Sequence, residues 1–120
     1  MEKTIIIDGK EVRLKSTAGT PMRYKAQFGK DYLGEVMKLY QIAQKIGLKP
    51  EGLSEEQSLK LLESIDFEVF YNIVWVLAKT ANKEIKPPLD WLDEFEEFPL
   101  VDILPEIQDL IASTIQTKKK

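Results

Sequence analysis

The sequence predicts a small, mainly α-helical domain of about five to six helices with an N-terminal β-hairpin. Three observations predict this fold class. Apolar residues recur every three or four positions through most of the chain, capping residues precede several of these runs, and strand-like alternation is confined to residues 4–15. The chain has 120 residues, 43% hydrophobic and 31% charged. We therefore expect one domain over residues 1–117, followed by a solvated lysine tail at 118–120.

The first predicted element is the β-hairpin over residues 4–15. Asp8-Gly9 separates two short alternating runs, whose apolar members are Ile5, Ile7, Val12 and Leu14. The Asp-Gly pair favours a type I′ turn, because this turn requires a positive φ at both central positions. Since an isolated hairpin is only marginally stable, we expect it to pack on the helices or to pair with another chain.

Two helices are predicted to follow the hairpin. Thr20 is the expected N-cap of the first helix, and Gly29 is its expected end. The second helix is expected to end at Gly47 and Pro50. Three- and four-residue spacing predicts that its apolar face consists of Leu33, Val36, Met37, Tyr40 and Ala43.

A capping box and a capping aspartate predict the next two helices. Ser54 and Gln57 have the spacing of a capping box, and the short helix after them is expected to run to about Ser64. Asp66 is expected to cap the most apolar helix, over residues 66–82, which should form the centre of the core. The main apolar stripe of this helix comprises Phe67, Phe70, Tyr71, Val74, Leu77, Ala78 and Ala81.

The last two predicted helices are separated by Pro99. Residues 89–98 are predicted to form an acidic amphipathic helix, and residues 104–115 a final helix with Pro105 near its first turn. The apolar positions of the final helix are Ile107, Leu110, Ile111 and Ile115.

The composition argues against several classes of function. The sequence contains no cysteine and no histidine, so it lacks thiol nucleophiles, the commonest metal ligand and the usual general base. We expect no catalytic activity and no cofactor. The apolar runs are too short for a signal peptide or a membrane span, which predicts a cytoplasmic protein. Net charge is −3, and residues 84–109 carry nine acidic side chains and one lysine, which makes nucleic acid an unfavourable partner.

The acidic side chains after residue 89 admit several interpretations. They could form a carboxylate metal site or a paired-carboxylate hydrolase, although their spacing matches no calcium-binding loop. They could also be the solvated face of two helices, or an acidic docking face for a protein. In the docking interpretation, aromatic anchors with an acidic rim contact the partner. The candidate partner-binding residues are Trp91, Phe95, Phe98, Asp93, Glu94 and Glu97.

The three aromatic residues among these candidates have a second interpretation as core residues of a small domain. Replacing Trp91 and Phe95 together with alanine distinguishes the two. Weakened partner binding with an unchanged far-UV circular dichroism (CD) spectrum indicates anchors, whereas unfolding indicates core residues.

Three blocks of the sequence resemble the tail assembly chaperones of phages and prophages with long, non-contractile tails. They are IIIDGKEVRLKSTAGTPMRYKAQFGKD (Ile5–Asp31), DFEVFYNIVWVLAKTAN (Asp66–Asn82) and PPLDWLDEFEEFPLVDILPEI (Pro87–Ile107). Their order and spacing are similar too, so that the resemblance extends over nearly the whole chain. None of the blocks is a catalytic signature.

The resemblance implies a role in the host bacterial cytoplasm. Such chaperones bind the long, largely helical tape measure protein, keep it soluble and help recruit tail tube subunits around it, and they are typically absent from the mature virion. Many are also made in a longer form by a ribosomal frameshift near the end of the gene. Consecutive lysine codons at Lys118, Lys119 and Lys120 would fit a slippery sequence.

Several alternatives remain open at this point. A structural tail subunit or adaptor would be retained in the virion, whereas a chaperone would not. A small carboxylate enzyme would bind Mg²⁺ or Ca²⁺, and a DNA-binding regulator would carry a basic recognition helix, which the sequence does not display. A free hairpin edge could also pair with that of a neighbouring copy, which makes a homo-oligomer a further expectation.

Overall fold

The computed structural model describes residues 1–49 and 51–115 of the chain. An antiparallel hairpin precedes six helices in this part of the chain: β1 (Glu2–Ile7), β2 (Lys10–Lys15), α1 (Thr20–Phe28), α2 (Tyr32–Ile46), α3 (Glu55–Ser64), α4 (Phe67–Ala81), α5 (Pro88–Leu92) and α6 (Leu100–Ile115). The predicted mainly α fold with an N-terminal hairpin is confirmed. The predicted stop at Pro50, the Ile115 side chain and the lysine tail at 118–120 lie outside the described residues.

The hairpin has the turn that its sequence predicts. Asp8 and Gly9 have φ values of 55° and 75°, so that both central residues are left-handed, as a type I′ turn requires. Ile5 pairs with Val12 across the two strands. The alternating side chains of one face are buried and pack against α4 and α6, and they are Ile5, Ile7, Val12 and Leu14. The hairpin is thus stabilised by the helices of its own chain.

Helix α4 forms the centre of the molecule. The Asp66 side chain caps it by accepting hydrogen bonds from the backbone N–H groups of Glu68 and Val69. Buried residues surround most of its circumference, because α1, α2, α5 and β2 all pack on it. Its first residue, Phe67, departs from the predicted buried stripe, since 42% of its surface is exposed. Otherwise the predicted central helix is confirmed.

The prediction that Thr20 caps α1 is wrong. The N-cap is Gly19, and Thr20 is the first helical residue. The Thr20 hydroxyl accepts a hydrogen bond from the Thr17 backbone N–H and lies 3.2 Å from the Thr80 hydroxyl of α4. The hydroxyl therefore links the start of α1 to the central helix instead of capping α1. Gly29, with a φ of 72°, ends the helix as predicted.

The predicted apolar face of α2 is wrong in part, because the helix is rotated about its axis. Leu33 is 49% exposed, whereas the buried residues include Tyr32, Val36, Leu39 and Ala43. Both sets of residues have helical spacing. The set that becomes buried depends on the elements that pack on α2, among them α4 and α6.

A buried carboxylate joins α1 to α2. Glu35 is 5% exposed and accepts a hydrogen bond from the Tyr24 hydroxyl at 3.1 Å. Lys38 forms an ion pair with the other carboxylate oxygen of Glu35 at 3.2 Å. Burial, together with the neighbouring Glu35 charge, raises the pKa of the Tyr24 hydroxyl above its ordinary value. Both polar groups are thereby satisfied inside the core.

The two C-terminal helices differ from the predicted ones in their bounds. α5 ends at Leu92 and does not continue to residue 98, whereas α6 begins at Leu100, before the predicted start at residue 104. Pro105 therefore lies inside α6, where it has no N–H to donate to the Val101 carbonyl. The helix continues past the proline because its apolar face packs against the rest of the core, through buried residues that include Ile107, Leu110 and Ile111.

Candidate interaction surface

The segment between α5 and α6 carries four exposed carboxylates in an irregular conformation. We call residues 93–97 the acidic segment; it contains Asp93, Glu94, Glu96 and Glu97. Turn hydrogen bonds join the Glu94 N–H to the Trp91 carbonyl and the Phe95 N–H to the Leu92 carbonyl, both at 3.1 Å. Beyond them the backbone leaves the helical path. Negatively charged side chains at the C-terminal end of α5 oppose continuation of the helix, because that end of the helix dipole is also negative.

The tip of the hairpin fastens the acidic segment to the body of the protein. The Asp8 carboxylate accepts a hydrogen bond from the Glu96 N–H at 2.9 Å. Lys10 donates to the Glu94 carbonyl, and its ammonium group lies 5.2 Å from the centre of the Phe95 ring. The acidic segment is therefore held through its backbone, and its carboxylate residues stay exposed at the surface.

The predicted aromatic anchors form one cluster of rings with the acidic segment. Trp91 is only 4% exposed and makes edge-to-face contacts with Phe95 and Phe98, at centroid distances of 5.0 and 5.9 Å. Phe95 and Phe98 are half-buried and lie 5.5 Å apart. Trp91 is thus a core residue in this structure, whereas Phe95 and Phe98 keep part of their surface available.

The predicted acidic rim lies at the surface. Asp93, Glu94 and Glu97 are all exposed. Glu94 forms an exposed ion pair with Lys86 at 3.7 Å, a contact of small energetic value. Such a row of carboxylates can accept charge-assisted hydrogen bonds from lysine or arginine. Partner binding by these residues and by the three aromatic residues stays a prediction.

Sequence reasoning missed several residues that shape this surface. Asp8 and Lys10 contact the acidic segment from 84 to 88 positions away in the chain, and no local pattern indicates such a pairing. The helical pattern predicts Phe67 in the buried stripe of α4, yet 42% of its surface is exposed and its ring lies 6.3 Å from that of Tyr71. Local sequence does not separate it from Val69 and Phe70 of the same first turn, which are buried.

Carboxylate chemistry with a metal receives no geometric support within the described residues. There, no group of three or more acidic side chains is arranged to hold a metal ion. In the same part of the chain, no helix has the length and apolar character needed to cross a bilayer.

Comparison of the chain with models of known protein families, with curated proteins and with solved structures finds no match. The resemblance of the three sequence blocks to tail assembly chaperones thus remains an expectation drawn from the residues themselves.

Proposed function

We propose that this protein is a phage tail assembly chaperone that binds the tape measure protein and helps recruit tail tube subunits around it. The observation that carries the proposal is the resemblance of the blocks Ile5–Asp31, Asp66–Asn82 and Pro87–Ile107, in that order, to such chaperones. The protein acts without catalysis in the host bacterial cytoplasm and leaves before the virion is complete.

Two structural features support a binding role. The acidic segment presents several carboxylates on a backbone that the hairpin tip holds in place. Partly exposed rings, Phe95 and Phe98, lie among these carboxylates. A tape measure protein exposes apolar helix faces before the tube encloses it, and an apolar patch with a charged rim is suited to such a face.

The proposal is tested by co-expressing this chain with the tape measure protein of its own genome. The expected result is a soluble complex that co-purifies, together with an insoluble tape measure protein when it is expressed alone. A tape measure protein that stays insoluble in the presence of this chain, and also in the presence of any frameshifted longer form, would contradict the proposal.

Mass spectrometry of purified virions separates the proposed chaperone from a structural tail subunit. A chaperone is expected in infected-cell lysates and absent from finished particles. Stoichiometric recovery of this chain from particles would contradict the chaperone proposal and indicate a virion subunit or adaptor.

A further inference from the structure

A continuous row of partly exposed aromatic rings runs from the start of α4 to the hairpin tip. We call it the aromatic stripe, and it consists of Phe67, Tyr71, Phe98 and Phe95. Successive ring centroids are 6.3, 5.7 and 5.5 Å apart. Phe67 is the most accessible member, with 42% of its surface exposed. The stripe joins the acidic segment to a helix that sequence reasoning placed wholly in the core.

Three rings of the stripe, those of Tyr71, Phe98 and Phe95, contact buried aromatic neighbours. Phe70 is fully buried and lies 5.7 Å from the Tyr71 ring and 6.0 Å from the Phe98 ring. Trp91 lies beneath Phe95 and Phe98. A surface whose side chains are already ordered loses little conformational entropy when a partner binds.

The spacing of the rings matches one kind of occupant. The rise of an α-helix per turn is about 5.4 Å, close to the separation of successive rings. Apolar side chains one turn apart on a partner helix could therefore contact successive rings. Such an arrangement resembles the general helix-in-groove mode of recognition, with anchors at three- and four-residue spacing.

The charges beside the stripe specify the flanks of that helix. Each of three stripe residues has an exposed carboxylate next to it in the sequence: Glu68 follows Phe67, Glu94 precedes Phe95 and Glu97 precedes Phe98. Lysine and arginine are complementary to this rim. At its Phe95 end two lysines of this chain are already present, since Lys10 lies over the Phe95 ring and Lys86 pairs with Glu94, so the carboxylates of Glu68 and Glu97 are the ones that favour a basic partner. An acidic helix would face repulsion along the same line.

We propose that the aromatic stripe binds one amphipathic helix that has an apolar residue at each turn and lysine or arginine on both flanks. The identification of that helix as a segment of the tape measure protein rests on the proposed function. The stripe is thus the docking surface, and the basic flanks are the feature by which it selects among the helices of its partner.

The direct test uses two synthetic helical peptides of about 20 residues, long enough to span the stripe. Both carry leucine at the same positions, one with lysine and arginine flanks and the other with glutamate flanks. Fluorescence anisotropy is expected to show binding of the basic peptide and much weaker binding of the acidic one. Equal binding of the two peptides, or binding of neither, would overturn the proposal.

Matched variants locate the site. Phe67→Ala is expected to weaken binding of the basic peptide about tenfold. Leu33→Ala, which removes a side chain of similar exposure on α2, is expected to leave binding unchanged. Among the carboxylates, Glu97→Lys is expected to weaken binding, whereas Glu51→Lys, in the loop between α2 and α3, is not. Far-UV CD and thermal unfolding verify that each variant is folded. If Phe67→Ala and Glu97→Lys both bind like the unmodified chain, the stripe is not the docking surface.

Co-purification with the tape measure protein separates this proposal from the proposed function. If the tape measure protein binds the unmodified chain and the Phe67→Ala variant equally, the chaperone function stands and the stripe is refuted. If the basic peptide binds at the stripe but the tape measure protein does not co-purify, the stripe stands and the proposed partner is refuted.

Discussion

Replacing Trp91 with alanine tests whether this residue belongs to the core or is an anchor that contacts a partner. Trp91 is 4% exposed and contacts the rings of Phe95 and Phe98. A tryptophan side chain buries about 150–250 Å², which corresponds to about 4–6 kcal/mol at about 25 cal/mol per Å². The alanine side chain retains part of this burial. We therefore expect the free energy of unfolding to fall by about 3–5 kcal/mol.

Leu89 supplies a matched control on the same short helix. Its side chain is large and apolar too, yet 71% of its surface is exposed. We expect Leu89→Ala to change the free energy of unfolding by no more than about 0.5 kcal/mol. The sequence alone does not distinguish these two positions of α5, whereas the structure predicts a difference of several kcal/mol between them.

Urea unfolding followed by far-UV CD measures both variants, because CD does not depend on which tryptophan remains. A domain of this size has a total stability of about 5–15 kcal/mol, so a loss of the expected size shifts the midpoint clearly. Free energies of unfolding of Trp91→Ala and Leu89→Ala that differ by less than about 1 kcal/mol would refute the core assignment. For the Trp91→Ala, Phe95→Ala double variant, the structure accordingly predicts loss of stability and not only loss of binding.

Three further predictions concern individual contacts. Asp66→Ala should lower the free energy of unfolding by about 1 kcal/mol, because it removes the cap of α4. Asp66→Asn should retain most of this capping contribution, and urea denaturation measures both variants. Asp8→Ala should accelerate hydrogen exchange at the Glu96 amide; unchanged exchange would contradict the fastening of the acidic segment. Burial raises the pKa of Tyr24 above its unfolded value of about 10. The contribution of its protonated hydroxyl to the free energy of unfolding is therefore complete below that pH and is lost as the pH rises further. Tyr24→Phe should remove this part of the decline above about pH 10, as measured by urea denaturation at several pH values.

Local chemistry predicted several elements correctly. Asp8-Gly9 specified its turn because few other residue pairs adopt two left-handed conformations in succession. Ser54 and Gln57 specified the start of α3 through a reciprocal pair of hydrogen bonds, which the structure contains. In both cases the determining interactions lie within four residues of one another, so that a short stretch of sequence contains all the required information.

The features that sequence reasoning missed depend on distant neighbours. The orientation of α2 about its axis could not be predicted, since Leu33 and Tyr32 each belong to a set with helical spacing and only packing decides between them. The ends of α5 and α6 were misplaced for a related reason. The sequence pattern predicts a helix over residues 104–115 with Pro105 near its first turn, yet tertiary packing stabilises α6 from Leu100 onward, so that the proline lies inside it. The candidate surface likewise depends on Asp8, whose partner Glu96 is 88 residues away.

The two ends of the described chain meet along the hairpin. Lys3 donates to the Glu106 carbonyl and lies 3.7 Å from an Asp109 carboxylate oxygen. On the ribosome, β1 is synthesised long before these partners emerge, and contacts between distant parts of a chain form late because closing a long loop costs entropy. The apolar face of the hairpin therefore lacks the helices that cover it until α4 and then α6 have been synthesised, and α6 completes the cover. A nascent chain arrested before α6 would display strand edges and isoleucines that favour aggregation.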